Sequence, residues 1–106
     1  MFRPTVIVNG FRQGWILQAP TAELLAETVN GLPSTCSIIF DNPGENYLQS
    51  RREGFDSWTV EYREGDAQNH YQALDVPTAL VREVMLAYWK GIQFKHLLGW
   101  NRIQLD

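Results

Sequence analysis

Two histidines, one cysteine and twelve carboxylic acids are the side chains of this 106-residue chain best suited to carry chemistry. A zinc site needs three or four His, Cys or carboxylate ligands, but His70 and His96 lie far apart from each other and from Cys36. With one cysteine, no disulfide forms within this chain. The apolar run 36–40 predicts that Cys36 is a small buried side chain. We therefore expect no metal site and no cofactor.

A nucleophilic relay is the next chemistry that the residue types suggest. Asp66 and His70 lie four residues apart around a predicted hairpin, and Ser50 or Ser57 would complete a relay in which histidine accepts the serine proton. Neither serine is followed by the sharp elbow or accompanied by the oxyanion loop that such sites need. The pattern is therefore too incomplete to predict a hydrolase.

Two further patterns are equally incomplete. Glu61 with Glu64 or Asp66 would form a carboxylate pair, but exposed hairpin acids seldom have the shifted pKa values that acid–base catalysis requires. Gly10 and Gly14 are followed neither by the Lys-Ser/Thr of a phosphate loop nor by the third glycine of a dinucleotide site. We expect the protein not to be an enzyme.

The distribution of charge is more informative than the net charge of −3. Residues 41–75 carry eight acids and three arginines, whereas the rest of the chain carries four acids and six basic residues. Nucleic-acid binding needs clustered Lys and Arg to neutralise phosphates, so we expect no nucleic-acid partner. The acidic segment favours a basic protein partner. Solvated strand edges and turns would explain the same acids without any partner.

Length and hydropathy indicate a single domain over residues 1–106. A chain of this size buries enough apolar surface for one core. No apolar run approaches the roughly 18 residues of a membrane span, and residues 1–9 lack the apolar stretch of an export signal. We expect a soluble, cytoplasmic protein without membrane association, and its oligomeric state stays open.

The hydrophobic pattern predicts an α+β domain, in which two helices pack on an antiparallel meander of about five to six strands. Trp58, Val60 and Tyr62 alternate with polar residues and make 57–63 the clearest strand. Residues 52–56, which contain Gly54, are expected to form a connection. The other predicted strand segments are 5–9, 14–18 (together one long or two short strands), 35–40, 47–51, 69–74 and a closing segment with Ile103 and Leu105.

Two helices are expected from apolar residues at helical spacing. The first covers 22–29, and Asn30-Gly31 suits a left-handed exit. The second and longer helix covers 77–90, near the C-terminus, with Pro77 suited to its first turn and Gly91 to its exit. Its apolar stripe consists of Leu80, Val81, Val84, Met85 and Tyr88.

These elements together resemble a bacterial immunity-protein family that neutralises polymorphic toxins, including deaminase toxins. The resemblance covers residues 34–105. It lies in the strand 58–63 with its Val60-Glu61-Tyr62 centre, then Val76-Pro77, Val81, Val84, Leu86, Tyr88 and Gly91, then Leu98-Gly99-Trp100. It implies a cytoplasmic antidote that binds a cognate toxin domain and covers its active site or substrate channel.

The leading hypothesis is therefore toxin neutralisation by direct protein binding. The expected contact residues combine charged side chains of the meander with two aromatic anchors, because binding energy concentrates in few aromatic and Arg side chains. They are Glu45, Tyr47, Arg51, Arg52, Glu53, Phe55, Asp56, Glu61, Glu64 and Asp66. The alternative is a small non-enzymatic adaptor or regulatory subunit that binds another cellular protein through its sheet face or edge. A small-molecule site between the second helix and the sheet would need a cavity where we expect close packing.

Overall fold

The computed structural model describes residues 3–10 and 12–103, which form an α+β fold with one sheet and two α-helices. The strands are β1 (Thr5–Asn9), β2 (Gly14–Ile16), β3 (Ser37–Asn42), β4 (Asn46–Gly54), β5 (Ser57–Glu64), β6 (His70–Val76) and β7 (Asn101–Arg102). The helices are α1 (Ala22–Gly31) and α2 (Thr78–Lys90), and a 3₁₀ turn covers Lys95–Leu97. The predicted fold class is confirmed, with one strand more than expected. No helix of the described residues combines the length and apolarity needed to span a membrane.

The seven strands form one sheet in the order β2-β1-β3-β4-β5-β6-β7, and every neighbouring pair is antiparallel. Strands β3 to β6 are consecutive hairpins, which is the predicted meander. The segment 5–18 forms two short strands rather than one long strand. Helix α1 lies between β2 and β3 in the chain, and α2 lies between β6 and β7.

Both helices pack on the same face of the sheet. The buried residues of α1, Leu25 and Val29, join those of α2, Val81, Val84 and Met85, in one apolar core. The sheet contributes its inward-facing side chains to this core. They include Val6, Val8, Ile38, Phe40, Leu48, Trp58, Val60, Tyr62 and Ala73.

No helix of the described residues covers the opposite face of the sheet, which we call the open face. Its members follow from the strand registers, because successive side chains of a strand point to opposite faces. They include Thr5, Ile7, Asn9, Gly14, Ile16, Ser37, Ile39, Asp41, Tyr47, Gln49, Arg51, Glu53, Thr59, Glu61, Arg63, His70 and Gln72. On the β2-β1-β3 side, Ile7, Ile16 and Ile39 form an apolar row between polar residues, and the β4-β5-β6 side is mostly polar.

The ends of the two helices differ in how well the sequence predicts them. Helix α2 begins at Thr78, with Pro77 at its N-cap rather than in its first turn. It ends at Gly91, whose φ of 73° is the expected left-handed exit. Helix α1 does not end in a left-handed residue. Gly31 is still helical, and the chain leaves through Leu32 with an extended φ of −70° and ψ of 123°. Leu32 is buried in the core and directs the chain back under the helix, which explains the longer helix.

The turns of the meander also include one correction. The turn after β3 has Gly44 at φ 78°, as the Pro-Gly pair predicts. The expected connection 52–56 is wrong, because β4 continues to Gly54 and only Phe55 and Asp56 form the turn. At the end of the chain β7 begins after Trp100, while Gln104 and Leu105 lie outside the described residues.

Cys36 has the buried environment that the sequence predicts. Its side chain is 1% exposed and belongs to the core, although the residue lies directly before β3 rather than within it. It is a free thiol. Because it is buried in apolar surroundings, it acts as a packing residue.

Candidate protein-binding surface

His70 lies at the centre of a polar network on the open face, although it is only 3% exposed. Its Nδ1 atom is 3.3 Å from the Tyr47 hydroxyl and 3.3 Å from Nε of Arg63. The Arg63 guanidinium can only donate hydrogen bonds, so Nδ1 is the acceptor and the ring hydrogen lies on Nε2. That atom faces Oε2 of Glu61 at 3.5 Å. The imidazole of His70, on β6, therefore contacts side chains of both β4 and β5.

Tyr47 and Arg63 are held by further contacts. Burial raises the pKa of Tyr47, and the nearby positive charge of Arg63 opposes this only in part. The phenol therefore stays protonated at neutral pH and donates to His70. The Arg63 guanidinium lies over the Tyr47 ring at 5.5 Å, and its Nη1 donates to Oε1 of Glu45 at 3.0 Å. Glu45, in the turn before β4, thereby holds Arg63 against the sheet.

A shallow depression of about 280 Å³ lies beside this network on the open face. Oε1 of Glu61 accepts a hydrogen bond of 3.0 Å from Nε2 of Gln72. Nε of Arg51 lies 3.1 Å from Oε1 of Glu53. The depression is lined by Gln49, Arg51, Glu53, Thr59, Glu61 and Gln72. It offers carboxylate, amide and hydroxyl oxygens to a partner, and these groups accept hydrogen bonds from cationic side chains.

Acids outnumber bases on this surface. With the adjoining Glu45 it carries Asp41, Glu45, Glu53 and Glu61 against Arg51 and Arg63. Both arginines are already paired with acids, Arg51 with Glu53 and Arg63 with Glu45. No Lys or Arg within the described ranges forms a salt bridge with Asp41 or Glu61. The surface therefore has negative charge left for a basic partner.

The structure brings together half of the residues expected to contact a partner. Tyr47, Arg51, Glu53 and Glu61 share the open face, and Glu45 lies at its margin. They come from two neighbouring strands and the turn before them. These five residues form the candidate surface.

Two of the expected contact residues, Arg52 and Asp56, make contacts within the fold. Arg52 points to the helix side, where its guanidinium lies 5.5 Å from the Trp58 ring and donates to the carbonyl oxygens of Asn30 and Leu32 at the end of α1. Oδ1 of Asp56 accepts the N–H of Thr78, the first residue of α2, at 2.8 Å. Thr78 and Leu32 are far from these side chains in sequence, so the contacts are tertiary.

The remaining three lie away from the open face. Phe55 is at the tip of the β4–β5 turn and is 91% exposed. Glu64 pairs with Lys95 at 2.7 Å, and the hydrogen bond from the ammonium raises the pKa of Lys95. Oδ1 of Asp66 accepts the N–H groups of Gln68 and Asn69 within its own turn. Phe55 is therefore the one of the three with a free side chain.

Several other residues of the open face were not expected from the sequence as contact residues. The alternation that we used for β5 also places Thr59 and Arg63 beside Glu61, so this signal was present in the pattern. From the sequence, His70 is a candidate only for metal binding and for catalysis. Gln49 and Gln72 carry no charge and gave no signal, because their place in the depression depends on strand register.

The residues of the incomplete relay do not meet. His70 contacts Glu61 rather than Asp66. Ser50 points into the core on the other face of β4, and the Ser57 hydroxyl donates to Asp75 at 2.7 Å. No group of three or more His, Cys, Asp or Glu able to hold a metal ion occurs in the described part of the chain.

A second depression, of about 370 Å³, lies at the C-terminal end of α2. Its walls include the Tyr88 hydroxyl, which accepts a hydrogen bond from Nδ2 of Asn42 at 3.1 Å, and the Glu64–Lys95 ion pair. The depression is open to solvent. Beneath the middle of α2, Val81, Val84 and Met85 are fully packed.

Comparison with known proteins adds no relative to this description. No family model, no curated protein and no solved structure matches the chain. The evidence for the function of this chain is therefore the open face together with the residues that carry the resemblance.

Proposed function

We propose that this chain is a protein-binding module whose open face covers a basic surface of another protein. The observation that carries the proposal is an ordered polar surface with excess acid on a sheet whose helices all lie on the other side. The resemblance to toxin-neutralising immunity proteins supplies the class of partner. The chain would then be a cytoplasmic antidote that occludes a cognate bacterial toxin domain.

The order of the surface supports binding rather than simple solvation. His70, Tyr47, Arg63 and Glu61 hold one another through hydrogen bonds. Side chains that are already fixed lose less conformational entropy when a partner docks. An acidic surface that served only for solubility would not need a buried imidazole beneath it.

The charge of the surface supports a basic partner. Complementary charge raises the rate at which two proteins meet, and it disfavours partners of the wrong sign. Asp41 and Glu61 form no ion pair with a Lys or Arg of residues 3–10 and 12–103, so a Lys or Arg of the toxin would pair with them. Enzymes that act on nucleic acids often present such basic surfaces, because they bind phosphates.

The first test is biological. The chain is co-expressed with the toxin domain encoded by the adjacent reading frame, and growth and complex formation are measured. Rescue of growth together with a stable complex supports the proposal. Failure of both contradicts it.

The second test locates the surface. Replacing Asp41→Lys and Glu53→Lys should lower the association rate at low ionic strength by about tenfold, since steering depends on surface charge. The matched control is Glu27→Lys with Glu83→Lys, which makes the same change of charge on exposed positions of α1 and α2. Equal rates for the two double variants would exclude the open face as the binding surface.

The adaptor hypothesis uses the same surface with a different partner. A neighbouring gene for a large secreted protein with a variable terminal domain favours the antidote, and a metabolic operon favours the adaptor. Binding to that metabolic neighbour, without growth rescue against any toxin, would replace the first proposal by the second.

A further inference from the structure

Strand β2 lies at the edge of the sheet, and no strand of residues 3–10 and 12–103 pairs with its outer side. Hydrogen-bonded and non-hydrogen-bonded pairs alternate along an antiparallel ladder. The N–H of Leu17 donates to the carbonyl oxygen of Val6 at 3.0 Å, and the next pair of this kind is Trp15 with Val8. Gly14 and Ile16 therefore turn their N–H and C=O groups away from β1 toward the free edge.

This edge lacks the features that usually prevent strands from pairing. Natural edge strands carry charges, prolines or bulges that block another chain. The β2 residues Gly14, Trp15 and Ile16 carry none of these, and the β1–β2 register is regular. Trp15 is 47% exposed and Ile16 is 53% exposed. Apolar side chains thus flank the free edge on both faces of the sheet.

We propose that β2 pairs antiparallel with β2 of a second copy of this chain, about a twofold axis through Trp15. Gly14 of one copy then exchanges backbone hydrogen bonds with Ile16 of the other, and the reciprocal pair forms by symmetry. Trp15 faces its own counterpart in a non-hydrogen-bonded pair, where side chains approach most closely. Aromatic pairs in such positions stabilise antiparallel strands.

The side chains on the open face fit the same register. Ile16 of one copy lies opposite Gly14 of the other, which has no side chain to collide with it. Ile7 is the cross-strand partner of both Ile16 and Ile39. Pairing therefore joins the two apolar rows across the axis and covers their exposed ends.

The sequence of β2 favours a second copy over an unrelated strand, because in this register β2 itself supplies a glycine opposite Ile16 and an aromatic residue opposite Trp15. A Cβ at Gly10 would lie 3.3 Å from the Trp15 ring, so the ring rests against its own hairpin, and Trp15 is 47% exposed. A second copy can therefore meet this side chain with the same residue, as in an isologous interface. Since β2 has only three residues, the interface is smaller than the roughly 1,200–2,000 Å² of stable complexes, and we expect a weak dimer. This inference does not depend on the proposed function.

Sedimentation equilibrium of the purified chain from about 10 µM to about 1 mM tests the dimer, a range that covers weak affinities. Ile16→Lys places like charges across the axis and should raise the dissociation constant at least about tenfold. Ile16→Pro removes an N–H that points outward and should do the same without loss of the fold. The control is Phe55→Lys, which replaces an exposed apolar residue at another site.

Disulfide trapping tests the register independently. Trp15→Cys should form an intermolecular disulfide under mild oxidation, because Cβ atoms of a non-hydrogen-bonded pair are close enough. Cys36 is buried and does not compete. Gln18→Cys, outside β2, should not cross-link to a comparable extent.

A wild-type chain that stays monomeric up to about 1 mM overturns the proposed dimer. A dimer that Ile16→Lys does not weaken also overturns this interface, and so does a Trp15→Cys protein that is dimeric by sedimentation but forms no intermolecular disulfide. Circular dichroism shows whether each variant is folded, and if Ile16→Pro is not, the trapping experiment is decisive.

Discussion

Arg51 and Arg52 are neighbours in β4 whose side chains lie on opposite faces of the sheet and do different work. Arg51 pairs with Glu53 on the open face, where both side chains are about half exposed (53% and 45%). Arg52 donates to the carbonyl oxygens of Asn30, Leu32 and Gly54 at 3.2, 2.8 and 3.1 Å, and also to that of Phe55. It thereby ties the end of α1 to the β4–β5 turn.

The two arginines should respond differently to removal. Arg52→Ala leaves several carbonyl groups without their donor and should lower the free energy of unfolding by about 2–3 kcal/mol, since hydrogen bonds to charged groups are strong. Arg51→Ala removes one exposed ion pair and should cost less than about 0.5 kcal/mol. Urea denaturation measures both. Equal effects would contradict the assignment of Arg52 to the fold.

Ser50 is a polar residue inside the core, between Ile38 and Val60 on the neighbouring strands. Its side chain is fully buried, and its hydroxyl has no hydrogen-bond partner among the described residues. Burying an unpaired hydroxyl is unfavourable, so Ser50→Ala should raise the free energy of unfolding by about 1 kcal/mol.

Ser57→Ala is the matched control for this substitution. The Ser57 hydroxyl donates to Oδ1 of Asp75 at 2.7 Å, so its removal should destabilise the protein by about 0.5–1 kcal/mol. The two serine variants should therefore shift the urea midpoint in opposite directions. A destabilised Ser50→Ala protein would contradict the assignment of this hydroxyl as unpaired.

Asp56 links the β4–β5 turn to the start of α2, and this contact should depend on pH. Hydrogen bonds from the backbone and side chain of Thr78 hold the pKa of Asp56 below its ordinary value of 3.8. A carboxyl group with a lowered pKa in the folded state stabilises the protein above its unfolded pKa. That contribution is lost as the pH falls through the folded value.

Asp56→Asn should therefore be less stable than the wild type at pH 7. The difference should shrink as the pH falls below 3.8, because protonation removes the charge of Asp56 in the wild type as well. Thermal unfolding of both proteins over this pH range measures it. A difference that does not vary with pH would mean that the charge of Asp56 does not stabilise the start of α2.

Much of the fold could be predicted because its signals are local. The alternation of Trp58, Val60 and Tyr62 identifies β5, and Pro77 and Gly91 mark the ends of α2 within one residue. The failures come from long-range contacts. Residues 52–54 resemble a loop in composition, but the backbone of Arg52 bonds to Thr35 and Cys36 across the sheet, and its side chain binds the end of α1.

Long-range contacts also limit how well the candidate surface can be predicted from the sequence. Tyr47 and Arg51 could be grouped because they lie on one face of a predicted strand, and Glu61 follows from the next strand. Glu53 joins them only because β4 continues past the predicted strand end. Asp56 has the charge of a binding residue, but its carboxylate is used by α2, which begins more than twenty residues later. Sequence shows which side chains are charged, whereas tertiary structure decides which of them stay free.

Phe55 is the residue at which an effect on binding can be measured with the least effect on stability. Its side chain is 91% exposed, so Phe55→Ala should leave the free energy of unfolding unchanged within about 0.5 kcal/mol. The backbone of its turn is nevertheless fixed, because Arg52 donates to the carbonyl oxygens of Gly54 and Phe55. An exposed aromatic side chain on a fixed turn is suited to fill a pocket of a partner with little loss of entropy.

If the proposed partner docks on this side, Phe55→Ala should raise the dissociation rate of the complex about tenfold to a hundredfold, as for an aromatic anchor. Ile92→Ala is the control. Ile92 is also an exposed apolar residue, at 58%, but it lies just beyond the C-terminal end of α2. Surface plasmon resonance with the toxin domain measures both. Equal dissociation rates would remove Phe55 from the interface while leaving the open face in place, whereas the absence of any complex would contradict the proposed function itself. Arg52→Lys tests how far Arg52 supports this turn, since a lysine cannot hold the same carbonyl groups with its single ammonium. We expect Arg52→Lys to weaken binding only if Phe55→Ala also weakens it.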